Sequence, residues 1–157
     1  MLTCLQVSAQ SNYTIFESGN FQGLKGEDDV EVLPAVYDRL GWSNDINEVI
    51  GGFIGYHEHN KWGLLSTEGK KITPPIYDKI ESLSTDKFKV AVKGKFTNRY
   101  FYGIIDAKGK LQLNLDYFDI QDASSAILIT TYDDKVFRMG VLTSDLKSVS
   151  KLEYQSI

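Results

Sequence analysis

A repeat with spacings of 37 and 40 residues is the feature that most constrains how this chain can fold. At these spacings a large side chain followed by glycine recurs, as Trp62-Gly63, Tyr102-Gly103 and Met139-Gly140. A tyrosine recurs at the same spacings, as Tyr37, Tyr77, Tyr117 and Tyr154. Because several positions repeat together, the chain is predicted to consist of copies of one supersecondary unit that bury their apolar faces against each other.

The residues within each copy alternate with the period of a β-strand. Phe88, Val90 and Val92 alternate with polar or small residues, which predicts a strand with one face buried. Residues 102–105 form a nearly continuous apolar run, which is typical of a strand covered on both faces. Only residues 42–47 suggest a helical turn. The sequence therefore predicts an all-β fold with about three strands per unit of 37–40 residues.

One predicted strand is longer than the others and carries the Tyr-Asp pair; in the first copy it covers residues 30–40 and is broken by Pro34. The units are expected at about residues 33–72, 73–112 and 113–149 of a single domain that spans residues 10–157, with partial units at 10–32 and 150–157. The two partial units together contain the strands of one whole unit. Two arrangements follow, an open stack of β units or a circularly closed, propeller- or barrel-like fold.

The repeated glycines are predicted to be structural. Those that follow the large side chain are expected to allow a bulge or a close approach of backbone: Gly63, Gly103 and Gly140. Gly69 and Gly109 are expected to supply the positive φ of a hairpin turn, where the third copy has Leu146.

The repeated Tyr-Asp pair is also predicted to be structural. The tyrosines are expected in the core, and Asp38 and Asp78 are expected to cap turns or backbone groups. Phe118 occupies the matching position of the third copy, which argues against a repeated catalytic or metal-binding carboxylate.

These motifs resemble those of the WG (KWG) repeat family of bacteria. The resemblance rests on Lys61-Trp62-Gly63-Leu64-Leu65, on Gly69-Lys70 and on Thr73-Pro74-Pro75-Ile76-Tyr77-Asp78-Lys79-Ile80, and it covers roughly residues 33–157. It implies a β-rich repeat module that is common in exported or surface proteins and has no established catalytic residues.

No constellation of residues predicts catalysis. His57 and His59 have a spacing that metals use, but the sequence contains no third histidine, and no serine lies in a nucleophile motif. The sequence therefore predicts a protein that is not an enzyme and holds no metal or cofactor. The alternative is a hydrolase-like enzyme with a site of non-repeated residues such as His57 and Asp45.

The charges are distributed unevenly. Residues 61–110 contain 11 of the 17 basic residues and 5 of the 21 acidic ones. A candidate binding patch consists of Lys87, Lys89, Lys93, Lys95 and Arg99. These side chains are either a solvated outer face or a docking patch for an acidic glycan, lipid headgroup or protein. Nucleic acid is not expected, because the net charge is −4 and the pI is about 5.2.

Residues 1–9 resemble the end of a signal peptide, because the small residues Val7-Ser8-Ala9 precede Gln10. Cleavage there would remove Cys4, the only cysteine. No apolar run approaches the roughly 20 residues of a membrane helix, so a transmembrane protein is not expected.

Taken together, these features predict an exported, non-enzymatic module that binds a protein or glycan at the bacterial envelope. The alternative is a structural subunit that joins a larger assembly through exposed strand edges. The oligomeric state stays open.

Overall fold

The computed structural model describes residues 12–123, 126–133, 136–146 and 149–152. The predicted signal-peptide segment and Tyr154 lie outside these residues. The described chain forms four antiparallel sheets in chain order. The first contains β1 (Thr14–Ser18), β2 (Phe21–Lys25) and β3 (Glu31–Tyr37), and the second contains β4 (Arg39–Leu40), β5 (Phe53–Glu58) and β6 (Lys61–Ser66). The third contains β7 (Lys79–Ser82), β8 (Lys87–Lys93), β9 (Tyr100–Asp106) and β10 (Leu111–Tyr117), and the fourth contains β11 (Asp119–Asp122), β12 (Ala126–Asp133), β13 (Val136–Thr143) and β14 (Val149–Leu152).

The all-β prediction is confirmed, with three or four strands in each sheet. Among the described residues no sheet closes into a barrel, and the four small sheets are compatible with an open stack of units. No helix in this part of the chain has the length and apolarity needed to cross a membrane.

The long strand predicted over residues 30–40 is split between two sheets. Residues up to Tyr37 pair with β2, whereas Arg39 and Leu40 pair with β5. The chain passes from one sheet to the next at Asp38, and it does so again at Asp78 and Phe118. We call these three positions the first, second and third junctions.

The repeated glycine lies opposite a bulge in the first and third sheets, and its first-sheet copy is Gly23, 40 residues before Gly63. Leu33 and Tyr37 pair with Leu24 and Gln22, so three residues of β3 lie opposite Gly23. In the third sheet, residues 114–116 lie opposite Gly103 in the same way. In the second sheet the corresponding segment contains Pro74-Pro75 and pairs with β6 only through isolated bridges, because proline has no N–H for the ladder.

The bulge brings a carbonyl oxygen onto the glycine. A Cβ at Gly23, Gly63 or Gly103 would lie only 2.7, 2.8 or 2.7 Å from the carbonyl oxygen of Leu33, Thr73 or Leu113, respectively. The predicted close approach is therefore confirmed at Gly63 and Gly103. No bulge lies opposite Gly140, because β13 pairs with β14 in regular register there.

Three hydrophobic clusters lie between successive sheets. The first is formed by residues of the first two sheets, including Leu24, Leu33, Leu40 and Tyr56. The second contains Trp42, Trp62, Leu64, Phe88 and Ile105, and the third contains Ile104, Ile120, Ile127, Ile129 and Leu142. Ile104 and Ile105 are neighbours that enter different clusters, which confirms that this strand is covered on both faces.

The repeated tyrosines and turn residues behave largely as predicted. Tyr37 and Tyr77 are buried, and Tyr117 packs partly buried against the third cluster. Gly69 and Gly109 have φ of 82° and 78°, and Leu146 keeps the same turn with φ of 60°.

The helical turn predicted at residues 42–47 is wrong. The segment is a turn that places Trp42 in the core, where its ring stacks on Phe88 and its Nε1–H donates to the carbonyl oxygen of Glu48 at 2.8 Å. A short 3-10 turn occurs instead at Glu27–Asp29.

Candidate binding site at the third junction

The aspartates of the first two junctions tie one sheet to a hairpin of the next. Asp38 Oδ2 accepts a hydrogen bond from the backbone N–H of His59 at 3.3 Å, and Asp78 Oδ2 accepts one from that of Lys93 at 2.8 Å. Lys61 Nζ also donates to Asp78 Oδ1 at 2.6 Å. The prediction of capping acids is therefore confirmed.

The environment of Asp78 favours its charged form. Burial alone would raise the pKa of this carboxyl group, but the hydrogen bonds from Lys61 and from the backbone of Lys93, together with the positive charges of both lysines, outweigh burial. The pKa of Asp78 consequently lies below its ordinary value.

The third junction replaces the aspartate with an aromatic ring. Asp119 pairs with Thr130, so the backbone N–H that an acid would cap here belongs to Tyr132. The ring of Phe118 instead packs edge-on against Phe137, with centroids 4.9 Å apart, and Tyr132 lies 4.7 Å from Phe137. Each of these three rings is 36–38% exposed, so the cluster forms part of the surface.

A groove of about 350 Å³ adjoins this cluster, where the third and fourth sheets meet. Its lining residues are Asn98, Arg99, Tyr100, Tyr102, Phe118 and Asp119. Tyr102 also packs against the third hydrophobic cluster, which fixes one wall to the core. We call these six residues, together with Tyr132 and Phe137, the third-junction groove.

Two cations lie over rings of the groove. The guanidinium carbon of Arg99 lies 4.4 Å from the ring centroid of Tyr132, and Lys79 Nζ lies 4.5 Å from that of Tyr100. Within the described residues neither cation forms an ion pair. Asp119, the groove's carboxylate, accepts hydrogen bonds from Ile120 N and Gln121 Nε2. The groove therefore combines exposed aromatic surface with unpaired positive charge.

The candidate basic patch divides into two parts. Lys87 forms an ion pair with Asp86 at 3.2 Å. Lys89 pairs with Glu81 at 2.7 Å, and its side chain is only 15% exposed. Lys89 is therefore not part of a solvated outer face, because its side chain pairs with Glu81 and its Nζ lies 5.3 Å from the ring centroid of Tyr102.

Lys93, Lys95 and Arg99 are exposed and lie at the groove end of this strand and its loop. The alternation predicted for β8 is confirmed at Phe88 and Val90, which are buried on the opposite face. The loop at residues 94–99 is closed by a hydrogen bond from Gly94 N to Arg99 O at 2.9 Å.

Sequence reasoning missed Phe96, which lies in this loop and is 98% exposed. It also missed Tyr132 and Phe137 as partners of Phe118. The departure of Phe118 from the repeat was the available signal.

The other candidate residues lie away from the groove. Asp45 pairs with Arg39 at 2.6 Å, while His57 contacts the ring of Trp62 at a centroid distance of 5.0 Å. His59 lies in a hairpin turn with φ of 52°. Among residues 12–123, 126–133, 136–146 and 149–152, no group of three or more His, Cys, Asp or Glu side chains is placed to hold a metal ion.

A second depression, of about 540 Å³, lies at the first junction. Its lining residues are Phe21, Val36, Asp38, Glu58, His59 and Asn60. Of its two carboxylates, Glu58 forms an ion pair with Lys71 at 2.8 Å, and Asp38 caps the backbone N–H of His59.

Comparison with known proteins supports the class of protein that the repeat indicates. The family model described as WG containing repeat matches residues 62–96. The chain therefore contains a WG repeat at residues 62–96, as the resemblance predicted.

No curated protein matches the chain. A solved structure from Agrobacterium tumefaciens, of a protein provisionally assigned as TolB, is 13% identical over 76% of this chain and 46% of that one, with a TM-score of 0.36. This chain thus spans less than half of that protein's length. The likeness carries no argument about fold or function.

Proposed function

We propose that this WG repeat protein is a non-catalytic binding module that is exported and holds a protein or glycan of the bacterial envelope in its third-junction groove. The observation that carries the proposal is the change at the third junction. The repeat keeps aspartate at Asp38 and Asp78 and replaces it with Phe118, whose ring joins Tyr132 and Phe137 at the surface. Aromatic residues and arginine are the side chains that binding surfaces favour.

The chemistry of the groove supports binding over catalysis. Acid–base or nucleophilic catalysis usually needs a base set beside a second reacting group, such as a histidine beside a serine or cysteine. Asp119 is the one carboxylate among the described residues that line the groove, and no histidine, serine or cysteine lines it with Asp119. The remaining groups are aromatic rings, the amide of Asn98 and the guanidinium of Arg99, which suit stacking and hydrogen bonding to a ligand.

Export is supported by the cleavage-site pattern that ends at Ala9. Expression of the whole gene in a Gram-negative host tests it. The expected product lies outside the cytoplasm and begins at Gln10. Recovery from the cytoplasm with Met1 and Leu2 retained would contradict export.

Restoring the repeat residue tests the binding site. In Phe118→Asp, the new carboxylate is expected to cap the backbone N–H of Tyr132, as Asp78 caps that of Lys93, so the fold should be kept. The wild type and this variant are compared for retention on immobilised envelope glycans and purified envelope proteins. Lys108→Gln is the matched control, because Lys108 is exposed at the other end of β9.

The wild type and Lys108→Gln should be retained on the same matrix, and a folded Phe118→Asp should pass through. Equal retention of all three proteins would contradict the assignment of the groove. Circular dichroism on each variant checks that the fold is intact.

A further inference from the structure

We propose that the occupant of the third-junction groove is an acidic polypeptide segment that carries an apolar side chain, with Phe96 as a second anchor beside the groove. This inference rests on the proposed binding function and specifies the partner. It combines two observations, the unpaired cations around the groove and the apolar side chains exposed along its rim.

The charge around the groove selects an acidic partner. Lys79 and Arg99 lie over its rings, and the exposed Lys93 and Lys95 are close in sequence to Arg99. Among the neighbouring acids, Asp78 is paired with Lys61, whereas Asp119 and the exposed Asp116 keep their negative charge. The four basic side chains therefore outnumber the two charged acids beside the groove. Complementary charge speeds encounter and excludes basic partners.

The apolar rim selects a polypeptide. Phe96 is 98% exposed, and Phe137 and Met139 are 38% and 43% exposed. Phe96 precedes Arg99 by three residues, so their Cα atoms are at most about 11 Å apart. A segment that fills the groove therefore needs only a few more residues to cover Phe96.

Two other anionic partners fit less of this surface. A sugar chain can stack on the groove's rings, but it has no apolar side chain with which to cover Phe96. An anionic lipid surface can take up Phe96 and the lysines, but it leaves the concave groove with its Tyr102 wall unfilled. A polypeptide offers carboxylates and apolar side chains together.

Isothermal titration calorimetry with defined probes tests the partner. The main probe is a soluble peptide with phenylalanines set among glutamates. Its comparison peptides replace glutamate with lysine, or phenylalanine with alanine. Oligogalacturonate and phosphatidylglycerol vesicles represent the glycan and the lipid surface.

The wild type should bind the acidic, apolar peptide about tenfold or more tightly than either comparison peptide. Arg99→Gln, Phe96→Ser and Phe118→Asp should each weaken binding about tenfold, as hot-spot substitutions do, while Lys108→Gln should not. Binding should weaken several-fold from about 50 to about 300 mM sodium chloride, because salt screens exposed charges. Arg99→Gln changes an exposed side chain, so it keeps the test valid if Phe118→Asp does not fold.

The outcomes separate the two proposals. Suppose that oligogalacturonate binds more tightly than the peptide and that Phe118→Asp or Arg99→Gln abolishes its binding. The proposal of a polypeptide partner is then wrong, whereas the groove remains a binding site. If vesicles bind most tightly and only Phe96→Ser abolishes vesicle binding, the proposal of a polypeptide partner is wrong and a lipid surface is the partner. If no probe binds, or if the wild type and the folded groove variants bind equally, both proposals are wrong: the polypeptide partner and the assignment of the groove as the binding site.

Discussion

The close contact at the repeated glycine shows how one residue type is selected by its surroundings. Gly63 lies beneath the ring of Tyr56, its cross-strand partner, and beside the carbonyl oxygen of Thr73. The Tyr56 hydroxyl donates to that same carbonyl oxygen at 2.9 Å. Burial and the nearby Glu58 raise the pKa of Tyr56 to about 12, so the hydroxyl keeps its proton at neutral pH. Glycine leaves room for this bond between β5 and the segment that follows β6.

Gly63→Ala is therefore expected to destabilise the fold. The added Cβ would lie 2.5 Å from a ring carbon of Tyr56, and both neighbours are buried. Overpacking of this kind costs about 1–3 kcal/mol of unfolding free energy. Urea denaturation measures the loss, and an unchanged midpoint would show that the bulge moves aside at no cost.

Two lysines of the basic patch are expected to differ in their contribution to stability. Lys89→Gln removes the charge from a pair with Glu81 whose side chains are only 15% and 20% exposed, which should cost about 1–3 kcal/mol. Lys95→Gln is the matched control on an exposed turn and should stay within about 0.5 kcal/mol. Equal melting temperatures for the two variants would contradict the assignment of Lys89 to the interior.

At the scale of the elements, a single junction residue decides how one sheet is joined to the next. The second junction has the strongest set of bonds, since Asp78 accepts from both Lys61 and Lys93. The third junction replaces these bonds with ring contacts of Phe118. The first two junctions are thus primarily structural, and the third has surface free for a ligand.

Asp78→Asn should destabilise the fold in a pH-dependent way. The folded-state pKa lies below the ordinary value of 3.8, so the charged form contributes stability above that pH and loses it as the pH falls through the folded-state pKa. The loss should be about 1–3 kcal/mol at neutral pH, because hydrogen bonds to a charged group are weakened. Urea denaturation at about pH 7 and about pH 3 should show the two proteins converging in acid. If the difference in unfolding free energy between the two proteins is the same at both pH values, the charge of Asp78 does not contribute to stability.

The sequence predicted the repeated elements better than their pairing. The turn at Gly69, the bulge at Gly63 and the cap at Asp78 are local features, and their residue types indicate them directly. The split of residues 30–40 between two sheets was not predicted, because no glycine or proline marks a break at Asp38. Membership of a sheet depends on partners that are distant in sequence.

The candidate site was predictable only in part, for the same reason. Phe118 departs visibly from the repeat, but its contact with Tyr132 and Phe137 depends on the register of β11 with β12 and of β12 with β13. The exposure of Phe96 could not be predicted either, because residue type alone does not show whether a phenylalanine in a loop is exposed to solvent.

At the scale of the whole molecule, stability comes from clusters shared by neighbouring sheets. The third sheet contributes Phe88 and Ile105 to one cluster and Ile104 to the next. In such stacks each unit depends on its neighbours for stability. A substitution that weakens the packing of one cluster is therefore expected to destabilise the adjacent units as well.

Trp62→Ala is accordingly expected to weaken the whole domain. The indole is 6% exposed and belongs to the second cluster, and truncating a buried large aromatic residue costs about 3–5 kcal/mol. That is a large share of the typical 5–15 kcal/mol total. Thermal melting followed by circular dichroism should show a much lower midpoint. A wild-type midpoint with lost ligand binding would identify Trp62 as a contact residue instead.

The central claim is that binding is located where the repeat departs from its own pattern. Backbone amide NMR of the isotope-labelled wild type, titrated with the acidic, apolar peptide, tests it most directly. We expect chemical-shift changes concentrated at residues 95–102, 118–119 and around Tyr132 and Phe137. Changes concentrated at the first junction, around Asp38 and His59, or spread evenly over all four sheets, would contradict the claim.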